Sequence, residues 1–425
     1  MAKNQDLQKR RLDATPKGVG VLCAFYAEKA KNAEIWDVEG KRYIDFAGGI
    51  GVLNMGHLHP KVQKAISDQL QKFSHTCYQI VPFELYITVA ERLNKLAPGK
   101  SPKKTCFFST GAEAVENSIK IARHYTCRPA IIAFNGSFHG RTMMTMGLTG
   151  KVAPYKLGFG PFPPDIYHVP FPNAIHGVSV QDSLDAINDL FKTTIEPNRV
   201  AAIIVEPVQG EGGFVVAPVE FLKALRKLCD DNGILLIHDE VQCGFCRTGK
   251  LFATDYYEGV EPDIITMAKS MSGGFPISAV TGKSEIMDSP APGGLGGTYA
   301  GSALGLAAVN AVLDIIEEEE INALSLKLGE KCRDRLESLK DTVPQIKDVR
   351  GLGSMVAIEF MKPGTNEPDP DFTKEVQTNA MENGLLILTC GPYYNNIRLL
   401  YPLTIEDSIF DEAMEIFEKA LRAAG

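Results

Sequence analysis

The feature that most constrains this chain is a rhythm of short, uninterrupted apolar runs separated by longer amphipathic stretches, starting near residue 104. The runs are "TCFF" (105 to 108), "AIIAF" (130 to 134), "IYHVP" (166 to 170), "AAIIV" (201 to 205), "ILLIH" (234 to 238), "DIITM" (263 to 267) and "ISAVTG" (277 to 282). Strands apolar on both sides need cover on both sides, and intervening helices provide it over a mostly parallel sheet. "AEAVENSIKIARHY" and "PVEFLKALRKLCDDNG" have the helical pattern. The second opens at Pro218 and stops at Gly233, as helix-end rules expect. The expectation is a large α/β domain built on seven strands.

The two ends break the rhythm. "AEIWDVEGKRYIDFAGG" predicts a hairpin turning at Glu39-Gly40, and Pro60 opens an amphipathic helix. After about residue 320 come a helix, "VRGLGSMVAIEF", a Pro-rich loop (363 to 370), another helix, "GLLILTCG" and a final helix. These predict a smaller α+β domain. The expected division is an N-terminal segment (1–58) that joins the small domain, a large domain (59–318) and the C-terminal small domain (319–425). With 425 residues, 44% of them hydrophobic, the chain can bury two cores.

Charge narrows the partners. A net charge of −8 argues against nucleic acid or an anionic membrane as the main partner, and no run of 18 apolar residues suggests a transmembrane helix. The N-terminus is charged and carries no apolar secretion region. Nine cysteines, an odd number, suit a reducing cytoplasm. Cys243 and Cys246 form a lone CxxC, which without a second pair or nearby histidines is weak ground for zinc; small residues in a turn account for it better.

Ligands bind open α/β sheets at the carboxyl ends of the strands, so the residues following each run matter most. Ser109-Thr110-Gly111-Ala112 follow the first and lead into a helix, whose N-terminal N–H groups suit a phosphate; such turns also often serve only as caps. Phe138, His139, Gly140 and Arg141 follow the second, where an aromatic beside a glycine could cover a flat ring or simply join the core. Glu206 and Glu211 stand in a Gly-rich loop after "AAIIV", either as acid–base partners or as solvated carboxylates. Asp239, Glu240, Val241 and Gln242 follow "ILLIH", with His238 read as a packed core histidine. Lys269 follows "DIITM", with no carboxylate within four residues downstream to offset burial of its ammonium. A ligand with a phosphate, a flat ring, a basic ring atom and an aldehyde would engage all these groups. Pyridoxal 5′-phosphate has all four, and a poorly hydrated lysine readily forms a Schiff base.

These residues, with "WDVEGKRYIDFAGGIGVLNMGHLHPKV", "STGAEAVENSIKIAR", "FHGRTMMTMGLTGKVAPYK", "EPVQGEGGF", "DEVQCGFCRTG", "AKSMSGGFPISAVTGK", "PGGLGGTYAGS" and "CGPYYNNIRLLYPLTIED", make the chain resemble class III pyridoxal-phosphate aminotransferases of fold type I, and within them the bacterial 4-aminobutyrate branch. The resemblance runs essentially end to end. It implies that Lys269 is the Schiff-base lysine and proton shuttle, that Asp239 keeps the pyridine nitrogen protonated, and that Gln242 contacts the ring hydroxyl. It places Val241 and Phe138 on opposite ring faces, with His139 beside them. Gly111 and Ala112 would bind the phosphate, joined by Thr298 of a neighbouring subunit, so that a homodimer is the minimum unit. Arg141 would clamp a substrate's distal carboxylate and Arg398 the α-carboxylate of glutamate, with Glu211 neutralising Arg398 when 4-aminobutyrate binds. Glu206 would keep the site polar and Ile50 would pack on the substrate chain. Phe138 stands where a tyrosine is common in the family, and Cys243 and Cys246 replace small residues often seen there.

The implied reaction is ping-pong transfer of an ω-amine from 4-aminobutyrate to 2-oxoglutarate. The nearest rival substrate is 5-aminovalerate, since one methylene is worth only about 1–3 kcal/mol in a pocket. Ornithine-type substrates, an aminomutase or racemase, and a non-catalytic cofactor-binding regulator rank below these.

Overall fold

Seven strands form the central sheet of the computed structural model, which describes residues 3–424. Their order across the sheet is Lys103–Phe108, Ser278–Lys283, Ile264–Met267, Leu235–Asp239, Val200–Val205, Ala130–Phe134 and Ile166–Val169. Neighbours from Ile264–Met267 to Ile166–Val169 pair parallel, and Ser278–Lys283 runs antiparallel to both of its neighbours. The two central strands Val200–Val205 and Leu235–Asp239 are buried at every position. That burial is why they read as continuous apolar runs and not as alternating ones.

Helices cover this sheet on both sides. Gly111–Thr126 begins in a capping box: Thr110 Oγ1 accepts from the Glu113 N–H at 3.3 Å, and the Glu113 carboxylate accepts from the N–H groups of Ser109 and Thr110 at 2.7 and 3.0 Å. Val219–Asn232 starts after Pro218 and ends on Gly233 in the left-handed conformation, as expected from the sequence. None of the described helices is long and apolar enough to cross a membrane.

The N- and C-terminal parts share a sheet. The hairpin of Glu34–Asp37 and Arg42–Asp45 turns through Gly40, and Arg42–Asp45 pairs parallel with Leu385–Leu386. Ile44 and Phe46 lie in one core with Val376, Leu385, Tyr401 and Phe410. A second, antiparallel sheet comprises Ile346–Leu352, Met355–Phe360, Asn396–Leu399 and Leu388–Cys390. It carries Arg398 to Glu211 and Gln242, which follow two inner strands of the large sheet. An additional helix, Lys3–Ala14, buries none of its residues and is tied to the hairpin through Asn4 Nδ2 to Asp37 at 2.9 Å.

Candidate active site

A cavity of about 340 Å³ opens at the carboxyl ends of the parallel strands. Its wall brings together Gly111, Ala112, Phe138, His139, Glu206, Asp239, Val241, Gln242 and Lys269.

Lys269 arrives there through a sharp reversal. The strand ends at Met267, and Lys269 adopts φ 49°, a left-handed conformation that costs a non-glycine residue about 1 kcal/mol. Ser270 Oγ donates to the Gly51 carbonyl at 3.0 Å and anchors the turn. Among the described residues, the Lys269 amine makes no hydrogen bond or ion pair, and burial lowers its pKa to about 8 despite the nearby charge of Glu211. An amine half-buried, strained and without a partner is set up to bond to something else.

Asp239 ends its strand within a built socket. His139 Nδ1 lies 2.8 Å from Oδ2, while Oδ1 accepts from the Val241 N–H and the Thr266 hydroxyl, both at 3.1 Å. A carboxylate can accept all three bonds, and together they set the orientation of Asp239. His238 is a core histidine bonded to Thr254 Oγ1 at 2.8 Å, and burial drops its pKa to about 3.

The phosphate end follows from the capping box. Because Glu113 and Thr110 satisfy the N–H groups of Ser109, Thr110 and Glu113, the amides of Gly111 and Ala112 remain unpaired at the helix's positive end. Capping and anion binding, which the sequence leaves as alternatives, coexist. A Cβ on Gly111 would approach Val241 Cγ1 to 3.0 Å, so the glycine keeps the cavity wall in place.

The Gly-rich loop is buried, which overturns its reading as a solvated stretch. Glu206 accepts from the N–H groups of Phe138 and Gly210, both at 2.9 Å, and burial raises its pKa above the usual carboxylate range. Glu211 Oε1 lies 2.5 Å from Arg398 Nη1, and its Oε2 accepts from the Tyr155 hydroxyl at 2.9 Å. Burial pushes the Glu211 pKa up, but Arg398 and Lys269 more than offset it and leave the carboxyl below its usual range. Arg398 is only 4% exposed, also donates to Gln242 Oε1 at 3.3 Å, and keeps its buried Nε without a partner.

Five residues designated from sequence lie outside the cavity wall: the buried Glu211–Arg398 pair just described, and three exposed residues. Arg141 is exposed at the rim, its guanidinium 4.8 Å from the centre of the Tyr155 ring. Ile50 is 51% exposed, in a Gly-rich turn with φ 66°. Thr298 is exposed in the loop between Ser284–Met287 and Ala303–Glu318. Tyr155 was missed: it lies in a loop with no periodicity to mark it. Cys243 and Cys246 are both buried, and the Cys243 thiol donates to Glu240 Oε2 at 3.1 Å.

The wall fits pyridoxal 5′-phosphate by the chemistry of its donors. Two free amides would suit a phosphate, the oriented Asp239 carboxylate would suit a ring nitrogen, Val241 and Phe138 supply apolar surface, and the unpartnered Lys269 amine would suit an aldehyde. A model of the family described as aminotransferase class-III matches residues 15–421. The chain is 51% identical over 416 residues to the 5-aminovalerate aminotransferase DavT of Pseudomonas putida, covering 98% of each. It is 48% identical over 425 residues to the 4-aminobutyrate aminotransferase GabT of Escherichia coli, covering all of both. Among solved structures it matches an aminotransferase of Bacillus anthracis with a TM-score of 0.91 at 29% identity, covering 99% of each chain. It also matches the ornithine aminotransferase of Toxoplasma gondii with a TM-score of 0.86 at 30% identity, covering 99% of this chain and 94% of that one.

Proposed function

This chain belongs to the class-III aminotransferases, and we propose that it is an ω-amino acid transaminase converting 4-aminobutyrate and 2-oxoglutarate to succinate semialdehyde and L-glutamate. Bound in the cavity, pyridoxal 5′-phosphate supplies an aldehyde that carries the amino group and a ring that takes up electrons when a substrate C–H bond breaks. The chain's own residues do the rest. Asp239, oriented by His139, holds a proton on the ring nitrogen. Lys269, with a pKa near 8, is neutral in a useful fraction at mildly alkaline pH and moves the proton on and off the substrate carbon. Gly111 and Ala112 hold the phosphate, and Gln242, Val241 and Phe138 orient the ring.

The observation that carries the substrate reading is the buried Glu211–Arg398 pair beside Lys269. A substrate with a single carboxylate, distal to the reacting amine, meets Arg141 at the rim and leaves Arg398 to Glu211. Glutamate brings a second carboxylate, for which Arg398 exchanges partners. An isomerase, which does not alternate between two substrates, needs no such exchange. Thr298, exposed and away from the cavity, suits a role in a neighbouring subunit's site, and a homodimer is part of the proposal. A second reading, 5-aminovalerate as main substrate, is favoured by the 51% and 53% identities to two proteins named for that activity, against 48% to GabT.

Single-turnover absorbance spectra with 4-aminobutyrate, 5-aminovalerate, β-alanine and ornithine decide the matter. The first should react fastest. Faster reaction with 5-aminovalerate establishes the second reading, and ornithine as the best donor overturns both.

A further inference from the structure

Tyr155 joins Glu211, Arg141 and Phe138. Its hydroxyl donates to Glu211 Oε2 at 2.9 Å, its ring lies under the Arg141 guanidinium at 4.8 Å, and its edge meets Phe138 with centroids 4.8 Å apart. Its loop is fastened. Lys151 Nζ donates to the Gly391 carbonyl at 2.8 Å and the Tyr394 hydroxyl donates to the Ala153 carbonyl at 2.9 Å. The Gly391 N–H in turn donates to the Glu211 carbonyl at 2.9 Å. The backbones of Tyr155 and Glu211 are thus tied to one another, and only the Glu211 side chain is free to leave Arg398.

We propose that Tyr155 is a positioning residue with two separable parts: a hydroxyl that latches Glu211 onto Arg398, and a ring that seats Arg141. The proposal rests on the dual-substrate reading above. The latch follows from what happens when a dicarboxylate enters. Glu211 must then give up both the Arg398 pair and the Tyr155 hydrogen bond, so the hydroxyl stabilises only the state that accepts a single carboxylate. Burial, then the charge of Glu211, raise the Tyr155 pKa, so the phenol stays a donor at neutral pH. Removing the hydroxyl raises the population of the unlatched state, and a ligand that needs that state tightens in proportion. A ligand that leaves the pair intact does not change, because the paired state still predominates.

The test is calorimetric titration of the holoenzyme with glutarate, a five-carbon dicarboxylate, and with valerate, its monocarboxylate counterpart. A hydrogen bond to a charged group sets the scale. Tyr155→Phe should bind glutarate about tenfold more tightly, with valerate changed less than about twofold. In a Glu211→Ser background the same substitution should leave glutarate unchanged, since there is nothing left to latch. Tyr155→Leu, which also removes the ring under Arg141, should weaken valerate and should bind glutarate less tightly than Tyr155→Phe does. Glutarate binding unchanged or weakened by Tyr155→Phe overturns the latch, as does an effect that survives in Glu211→Ser. Tyr155→Leu binding valerate like wild type and glutarate like Tyr155→Phe overturns the seat. The underlying reading fails separately, if Arg398→Ala binds glutarate as well as the wild-type enzyme does.

Discussion

Lys269 should make the cofactor-free protein gain stability relative to its Lys269→Ala variant as pH rises from 8 toward 10.5. The native amine titrates near 8, whereas in the unfolded chain it titrates near 10.5. Below pH 8 both states carry the proton, and the native state bears the cost of a poorly hydrated ammonium. Between pH 8 and 10.5 the native protein has lost its proton while the unfolded chain keeps it. The unfolded state therefore binds more protons, and stability rises with pH across that window. The gap of about 2.5 between the two values, at about 1.4 kcal/mol for each pH unit, gives about 3.5 kcal/mol. The side chain is only partly buried, and discounting for that exposure leaves about 2–3 kcal/mol as the expected gain. Urea unfolding of the cofactor-free wild type and Lys269→Ala, repeated from pH 7 to 10.5, reads it directly. Both proteins share every other titrating group and the left-handed backbone at position 269, and the packing lost with the side chain does not vary with pH. The difference in unfolding free energy should swing toward the wild type as pH rises. A difference that stays constant across the range would show that the amine is not held neutral by its surroundings, and its assignment as the bonding lysine would lose its physical basis.

Two further substitutions test the chemistry. Glu211→Ser leaves Arg398 buried with only the long Gln242 bond. An uncompensated buried charge costs about 3–5 kcal/mol, so kcat/KM for 4-aminobutyrate should fall two to three decades while that for 2-oxoglutarate falls far less; Arg398→Ala should show the reverse, and equal losses on both half-reactions would make the pair merely structural. Asp239→Asn replaces a carboxylate acceptor by an amide, so proton transfer in a single turnover should slow by at least about a hundredfold, with a smaller loss of cofactor affinity measured by equilibrium dialysis; near-normal single turnovers would rule out its role.

The sequence by itself determined the elements and their ends. Burial on both faces writes itself as uninterrupted apolar runs, so all seven strands of the large sheet were legible, and with them the strand-end positions of Asp239 and Lys269. Capping chemistry is equally local, which is why the ends of Val219–Asn232 were readable from Pro218 and Gly233. Pairing is not local. That Ser278–Lys283 runs against both neighbours, and that Arg42–Asp45 joins Leu385–Leu386 from the other end of the chain, depends on long-range contacts that leave no periodic mark. The same holds in the site. The Glu211–Arg398 pair was expected only through the resemblance, since neither residue carries a signal of the other. Burial of the Gly-rich loop contradicted its polar composition, because two backbone N–H groups satisfy Glu206 and an arginine satisfies Glu211. Nothing local marks Tyr155, whose hydroxyl the fold brings to Glu211 and whose ring it brings beneath Arg141. Local patterning sets which segments are strand and helix; which side chains share a cavity is decided only when distant segments pack.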